Sequence, residues 1–190
     1  MGKTTQLALL VSNLKKHGYT VTATKEPGGT PKGEEIRARL LKGGLSPEEE
    51  LSLFFEARKY HVDEVLKPAI LRGDVVLCDR FSDSTFAYQH FARGQDRKMI
   101  EARDAEARSG LEPDLVIVLS MPPNIAFTRF KSRGGELDAF EKEGGEFHKK
   151  IHEAYLTLAR EKPENHIVVD ASESIEAVSE KIWNIVLQKL

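Results

Sequence analysis

Apolar residues near the start of the chain recur at Leu7, Leu10, Val11 and Leu14, a spacing that lines one face of a helix over Thr4 to His17, and Gly18 stops it. Tyr19 to Thr24 switches to the alternation of a short strand, and Glu26-Pro27-Gly28-Gly29-Thr30 is too rich in breakers to be anything but a loop. Gly33 to Leu41 and Pro47 to Leu71 predict helices. The longer one carries Leu51, Phe54, Phe55, Val62, Val65 and Leu66, and Pro68 is expected to end or kink it. Asp74 to Cys78 holds the unbroken run Val-Val-Leu-Cys, and Leu115 to Leu119 is apolar throughout; both suit strands buried on both faces of a parallel sheet. Phe81 to Phe91 and Asp96 to Ser109 predict helices, and Met121-Pro122-Pro123 closes the second apolar strand. Asn124 to Ser132 reads as a short helix and Arg133 to Gly145 as a charged, glycine-rich segment. Helix, strand and helix follow at Phe147 to Glu161, His166 to Val169 and Ile175 to Leu190. Strands separated by helical stretches predict an α/β fold, a doubly wound parallel sheet with flanking helices, whose ligands bind beyond the carboxyl ends of the strands.

Composition narrows this picture. The chain has 190 residues, 40% hydrophobic and 31% charged, which suits one globular domain over 1–190 and excludes a disordered tail. With 28 Lys plus Arg against 30 Asp plus Glu, the net charge of -2 provides no global field for nucleic acid or an anionic membrane, so any anion binding is local. A single cysteine, Cys78, excludes an internal disulfide and points to a reducing compartment. No apolar run approaches the ~20 residues of a membrane span, and the first ten residues lack a secretory signal, so a soluble, cytoplasmic protein is expected. His148 and His152 share a helix face but lack the companions of a metal site, and Cys78 reads as a small buried hydrophobe.

Gly2-Lys3-Thr4-Thr5, opening the first helix, is the downstream half of the phosphate-binding string G-x-x-x-x-G-K-[ST]. In that motif, amides at a helix N-terminus bind phosphate oxygens, the lysine reaches the β and γ phosphates, and the hydroxyl ligates Mg²⁺. Lys3 and Thr4 match those roles, though four such residues also arise by accident before a helix. The full motif needs a buried strand and the first half of the loop ahead of Gly2, about a dozen residues, so a longer natural chain is expected. A sheet lacking that central strand leaves its two neighbours with unpaired backbone groups.

Together with Thr24-Lys25-Glu26-Pro27-Gly28-Gly29-Thr30 after one strand and Asp79-Arg80-Phe81-Ser82-Asp83-Ser84-Thr85-Phe86-Ala87-Tyr88-Gln89 after the next, this opening makes the whole chain resemble bacterial thymidylate kinases. The resemblance implies a P-loop nucleoside monophosphate kinase fold and transfer of the γ-phosphoryl group of ATP to dTMP, giving dTDP. It also implies Mg²⁺ and a homodimer; the charge balance already argues against a nucleic acid or membrane partner. Gly2, Lys3, Thr4 and Thr5 would then bind ATP, with Ala171 and Ser172 packing against adenine, and Thr4 and Asp79 would hold the metal. Phe54 would stack on thymine with Arg58 on its O4, Thr85 and Gln89 would read the base edge, and Tyr88 would crowd the ribose 2′ carbon. Glu26 and Pro27 would close over the sugar, and Arg37 and Arg80 would hold the acceptor phosphate.

Residue patterns alone leave plainer alternatives: Phe54 as core, Arg58 as a surface charge, Asp79-Arg80 as a turn pair and Glu26 to Gly28 as a simple loop. Thr85, Tyr88 and Gln89 would be helix surface, and Ser172 or Ser174 an N-cap. In the lid, at about 133–146, Arg133 is the expected catalytic cation, assisted by Arg129 and Lys131. Here the chain departs from the family, with an extra glycine at Gly134-Gly135 and Ala139 in place of an arginine. Another P-loop nucleotide or nucleoside kinase, or a non-catalytic truncated nucleotide-binding fragment, stays open as an alternative.

Overall fold

The computed structural model describes residues 2–122, 125, 126, 139, 140 and 143–190. Gly2 leads into α1 (Lys3–Lys16), which turns Leu10 and Leu14 inward, and β1 (Val21–Lys25) follows. The start of α2 (Pro31–Lys42) is fixed twice. The Thr30 hydroxyl accepts from the Gly33 amide, and Pro31 takes the first helical position, where a missing N–H costs nothing. These caps place the start two residues before the expected Gly33. A Ser46–Glu49 capping box opens α3 (Pro47–His61), which continues through a π-helical turn, Val62–Leu66, into α4 (Lys67–Leu71). Pro68 therefore does not end the helix at that point. The wider turn just ahead of it accommodates the ring and the missing donor.

β2 (Val75–Asp79) leads to α5 (Ser82–Thr85), which runs into a second π-helical stretch, Phe86–Ala92. Next come α6 (Arg97–Arg108), capped by Asp96, then β3 (Val116–Ser120) and α7 (Gly145–Glu161). The chain closes with β4 (His166–Asp170) and α8 (Ile175–Leu187), the latter capped by Ser174. The helix expected at Asn124 to Ser132 and most of the segment from Arg133 to Gly145 lie outside the described residues. Every strand runs one residue beyond its expected end, to Lys25, Asp79, Ser120 and Asp170. Ladder pairing is a backbone property, so it carries on into the polar residue at each carboxyl end.

Both strand pairings are parallel. β1 lies beside β2 from Val21↔Val75 to Lys25↔Asp79, and β3 beside β4 from Val116↔His166 to Ser120↔Asp170. Among the described residues the two pairs are not hydrogen-bonded to each other, so the single sheet expected from the sequence stands here as two halves. β2 and β3 each have one paired neighbour, and burial on both faces is not reached: every β2 residue is half-buried, and in β3 only Val118 is buried. One apolar cluster nevertheless covers both pairs, with Leu10 and Leu14 of α1 and Ile182 and Val186 of α8 packing on Leu77 and Ile117. A second cluster, including Leu51, Phe55, Ile100 and Leu158, joins α3, α6 and α7. Side chains of this size each contribute about 1.5–3 kcal/mol when fully buried.

Candidate active site

The carboxyl ends of β1 and β2 carry two loops that are tied together, the Glu26 amide donating to the Asp79 carbonyl at 3.0 Å. The Glu26 carboxylate points inward. It accepts from Arg58 through Nε and Nη2, each at 2.8 Å, and from His61 Nδ1 at 2.9 Å. Because a carboxylate only accepts, Nδ1 is the donor, and the His61 Nε2 faces the Thr24 hydroxyl at 2.7 Å. Arg58 Nη1 bonds to Asp104, which also accepts from the Ser82 hydroxyl at 3.0 Å and from Arg108 Nε at 2.7 Å. Arg58 is only 2% exposed, with its guanidinium 5.0 Å from the centre of the Phe81 ring. Burial works against its charge, but Glu26 and Asp104 outweigh that and hold its pKa above the ordinary arginine value. Arg58 is therefore not a solvated surface charge.

Packing dictates the glycines of this loop. A Cβ on Gly29, which sits at φ 81°, would come within 2.6 Å of both the His61 ring and the Thr24 hydroxyl. A Cβ on Gly33 would lie 2.7 Å from the Gly28 carbonyl oxygen. Arg37 closes the loop from α2, donating from Nη1 to the Pro27 carbonyl at 3.0 Å.

Arg80 follows β2 with φ 73°, a left-handed conformation uncommon outside glycine. Its Nη2 donates to the Tyr88 hydroxyl at 3.2 Å and its Nη1 to the Tyr155 hydroxyl at 3.4 Å, while Tyr155 and Ser84 share a 2.7 Å hydroxyl contact. Burial opposes the charge, but Tyr155, Tyr88 and Asp79 together keep Arg80 above its ordinary pKa. Among the described residues no carboxylate pairs with this guanidinium, which leaves it suited to a bidentate oxyanion.

The aromatic groups lie beside it. Tyr88 meets the Phe140 ring edge-on at 5.7 Å, and Phe140 lies 6.1 Å from Phe54. Phe55 is buried in the core, whereas Phe54 is half-buried and packs on the border of a neighbouring cluster. Thr85 and Gln89 are fully buried, so they are not helix surface, and Thr85 Oγ1 and Gln89 Oε1 have no hydrogen-bond partner among the described residues.

The first turn of α1 has no side-chain cap and no acidic residue, and Gly2, Thr4 and Thr5 are exposed. The first amides of a helix have no acceptor within the helix, and an anion is one partner that satisfies them. The Gln6 side chain donates to the Ile175 carbonyl at 2.9 Å, tying this turn to the start of α8. Ala171 is buried, its amide bonded to the Ser120 carbonyl at 2.7 Å, and Ser174 rather than Ser172 caps α8. Arg129, Lys131 and Arg133 lie outside the described residues. Cys78 is half-buried, its thiol donating to the Arg80 carbonyl at 3.0 Å, and burial pushes its pKa well up.

His61, Asp104, Glu50 and Tyr155 are site residues that the motifs did not single out. Asp104 had a signal: with Ile100 and Ala107 it falls on the buried stripe of α6, where a carboxylate needs a cation.

The profile of the family described as thymidylate kinase matches residues 1–182. The chain belongs to the thymidylate kinase family. It is accordingly an α/β protein of the P-loop nucleoside monophosphate kinase type. It is 40% identical to the thymidylate kinase of Synechococcus sp. (strain JA-2-3B'a(2-13)) over 191 residues, covering 100% of this chain and 91% of that protein. It is 42% identical to the thymidylate kinase of Syntrophotalea carbinolica over 190 residues, covering 96% of this chain and 88% of the relative. The thymidylate kinase of Pseudomonas putida (strain GB-1) is 41% identical over 184 residues, 95% of this chain and 87% of that one.

Proposed function

We propose that this protein is a thymidylate kinase, transferring the γ-phosphoryl group of ATP to dTMP and releasing ADP and dTDP for dTTP synthesis. The observation that supports it most is the grouping of Arg80 and the aromatic rings of Phe54, Tyr88 and Phe140 near Glu50, whose partner Gln89 keeps a buried oxygen unpaired. A flat base with polar edges and an anionic tail matches that grouping.

In this reading Phe54 stacks on thymine, Thr85 and Gln89 meet its edge, and Arg58, held by Glu26 and Asp104, reaches O4. Tyr88 lies against the sugar at C2′, and Glu26 and Pro27 wall the loop over it. Arg80 and Arg37 grip the acceptor phosphate. Lys3 and the amides at Gly2, Thr4 and Thr5 hold the ATP phosphates, Ala171 packs against adenine, and Arg133 brings positive charge to the moving phosphoryl group. Phosphoryl transfer asks little covalent chemistry of a protein, so positioning and charge stabilisation are what these side chains provide.

Mg²⁺ fits the donors present. Thr4 and Asp79 offer hard oxygens of the kind this ion takes. When bound, the ion neutralises phosphate charge. We also assign a single domain over 1–190, a lid at about 133–146, a homodimer and a cytoplasmic location. Among the described residues no helix is long and apolar enough to cross a membrane.

A coupled ADP-release assay with dTMP, dUMP, UMP, CMP, GMP and thymidine tests the reading. dTMP should be the best acceptor; turnover confined to another acceptor, or none at all, would overturn it.

A further inference from the structure

Glu50 is buried on α3 and lies four residues ahead of Phe54, so the two side chains share one helix face. Its Oε1 accepts from the Gln89 amide nitrogen at 2.9 Å and lies 3.1 Å from Arg93 Nε. The Arg93 guanidinium lies 5.8 Å from the centre of the Phe140 ring and 5.3 Å from that of Phe147, and Nη2 reaches Glu143 at 3.2 Å. Arg93 thus supplies the positive charge that a buried carboxylate requires, and it joins Glu50 to the aromatic group around Phe54.

A primary amide is ambivalent: either end can face a partner. A carboxylate removes the ambivalence, because it can only accept. The Gln89 NH₂ turns toward Glu50 and the Oε1 turns away. That oxygen is buried and has no donor among the described residues. A buried acceptor without a donor is costly, and a ligand that brings an N–H removes the cost.

We infer that Glu50 is a specificity-determining positioning residue: by fixing the Gln89 amide it presents the bound base with an acceptor, selecting a pyrimidine that carries a ring N–H. This rests on the dTMP reading above. Thymine and uracil carry a hydrogen on N3. The N3 of cytosine is a lone pair and would meet the Gln89 oxygen acceptor to acceptor, the kind of mismatch that a buried polar site rejects strongly.

Isothermal titration with dTMP, dCMP and N3-methyl-dTMP reads this without requiring turnover. Wild-type protein should bind dTMP and reject the other two. Glu50→Gln keeps the shape but offers a donor as well as an acceptor, which frees Gln89 to turn over. The dTMP-to-dCMP affinity ratio should then fall about tenfold or more. Combining Glu50→Gln with Gln89→Glu should restore the ratio, since the new amide donates to the new carboxylate and an acceptor again faces the base.

A Glu50 that merely supports the fold would weaken both nucleotides alike, and the exchange would rescue nothing. An unchanged ratio in Glu50→Gln alongside intact dTMP binding overturns the inference and leaves the functional reading standing. Failure of the wild type to bind dTMP overturns both. Should circular dichroism show Glu50→Gln unfolded, the wild type decides: N3-methyl-dTMP binding as tightly as dTMP overturns the inference.

Discussion

At the carboxyl ends of β1 and β2 the charged side chains are buried and locked to one another, whereas at the start of α1 Gly2, Thr4 and Thr5, proposed to hold ATP, stand exposed with no side-chain cap. On the first side, the residues that would recognise dTMP are also residues that hold the fold together. Arg58, Glu26, His61 and Asp104 join α3, the loop after β1, and α6 into one buried network, so the proposed acceptor pocket would be shaped by folding. On the second side no side chain caps the helix, and under the proposed function substitutions there should bear on ATP and turnover more than on stability.

Asp104→Ala should break this contrast most visibly. It strips Arg58 Nη1, Ser82 and Arg108 of their shared carboxylate and should cost about 3–5 kcal/mol of unfolding free energy, read from urea denaturation. A loss below about 1 kcal/mol would mean that the network does not support the fold. Lys3→Ala is the counterpart across the site. Turnover should fall on the order of a hundredfold or more while unfolding free energy moves by less than about 1 kcal/mol. A comparable stability loss in both proteins would erase the distinction.

Phe54→Ala comes next, with the KM for dTMP raised about tenfold or more, because stacking of a base on an aromatic ring contributes ~1–3 kcal/mol. An unchanged KM with lost stability would place Phe54 in the core beside Phe55. The smallest effect concerns Tyr155, whose phenol burial pushes up to about 12, against the pull of Arg80, from an ordinary value of 10.0. The folded state holds this proton more tightly than the unfolded chain. The stability linked to it is therefore intact below pH 10.0 and is lost as pH rises toward about 12. Tyr155→Phe should flatten that part of the alkaline decline in thermal midpoint.

Much of the frame was legible in the sequence. The runs Val75 to Cys78 and Leu115 to Leu119 located two strands, and Glu26 to Thr30 located the loop proposed to wall the pocket. What escaped had physical reasons. An apolar run states that a strand is sheltered but not by which neighbour, so the particular pairing of β1 with β2 and of β3 with β4 could not be read. Pro68 carried the ordinary expectation of a helix end or kink, and the helix runs on through it behind the π-helical turn at Val62–Leu66. Phe54 and Arg58 could be placed on one helix face by their spacing of four. The partners that bury Arg58 come from residues 26 and 104, far along the chain, and such pairings leave no periodic trace. Glu50 is hidden for a similar reason: in the run Glu48-Glu49-Glu50 nothing marks the one carboxylate that turns inward.

A crystal structure of the protein with dTMP bound is the most direct check on the acceptor pocket. The pyrimidine should lie face to face with the ring of Phe54, with the phosphate in hydrogen-bond reach of Arg80. A pyrimidine seated anywhere else, with Phe54 packed as in the free protein, would contradict the assignment.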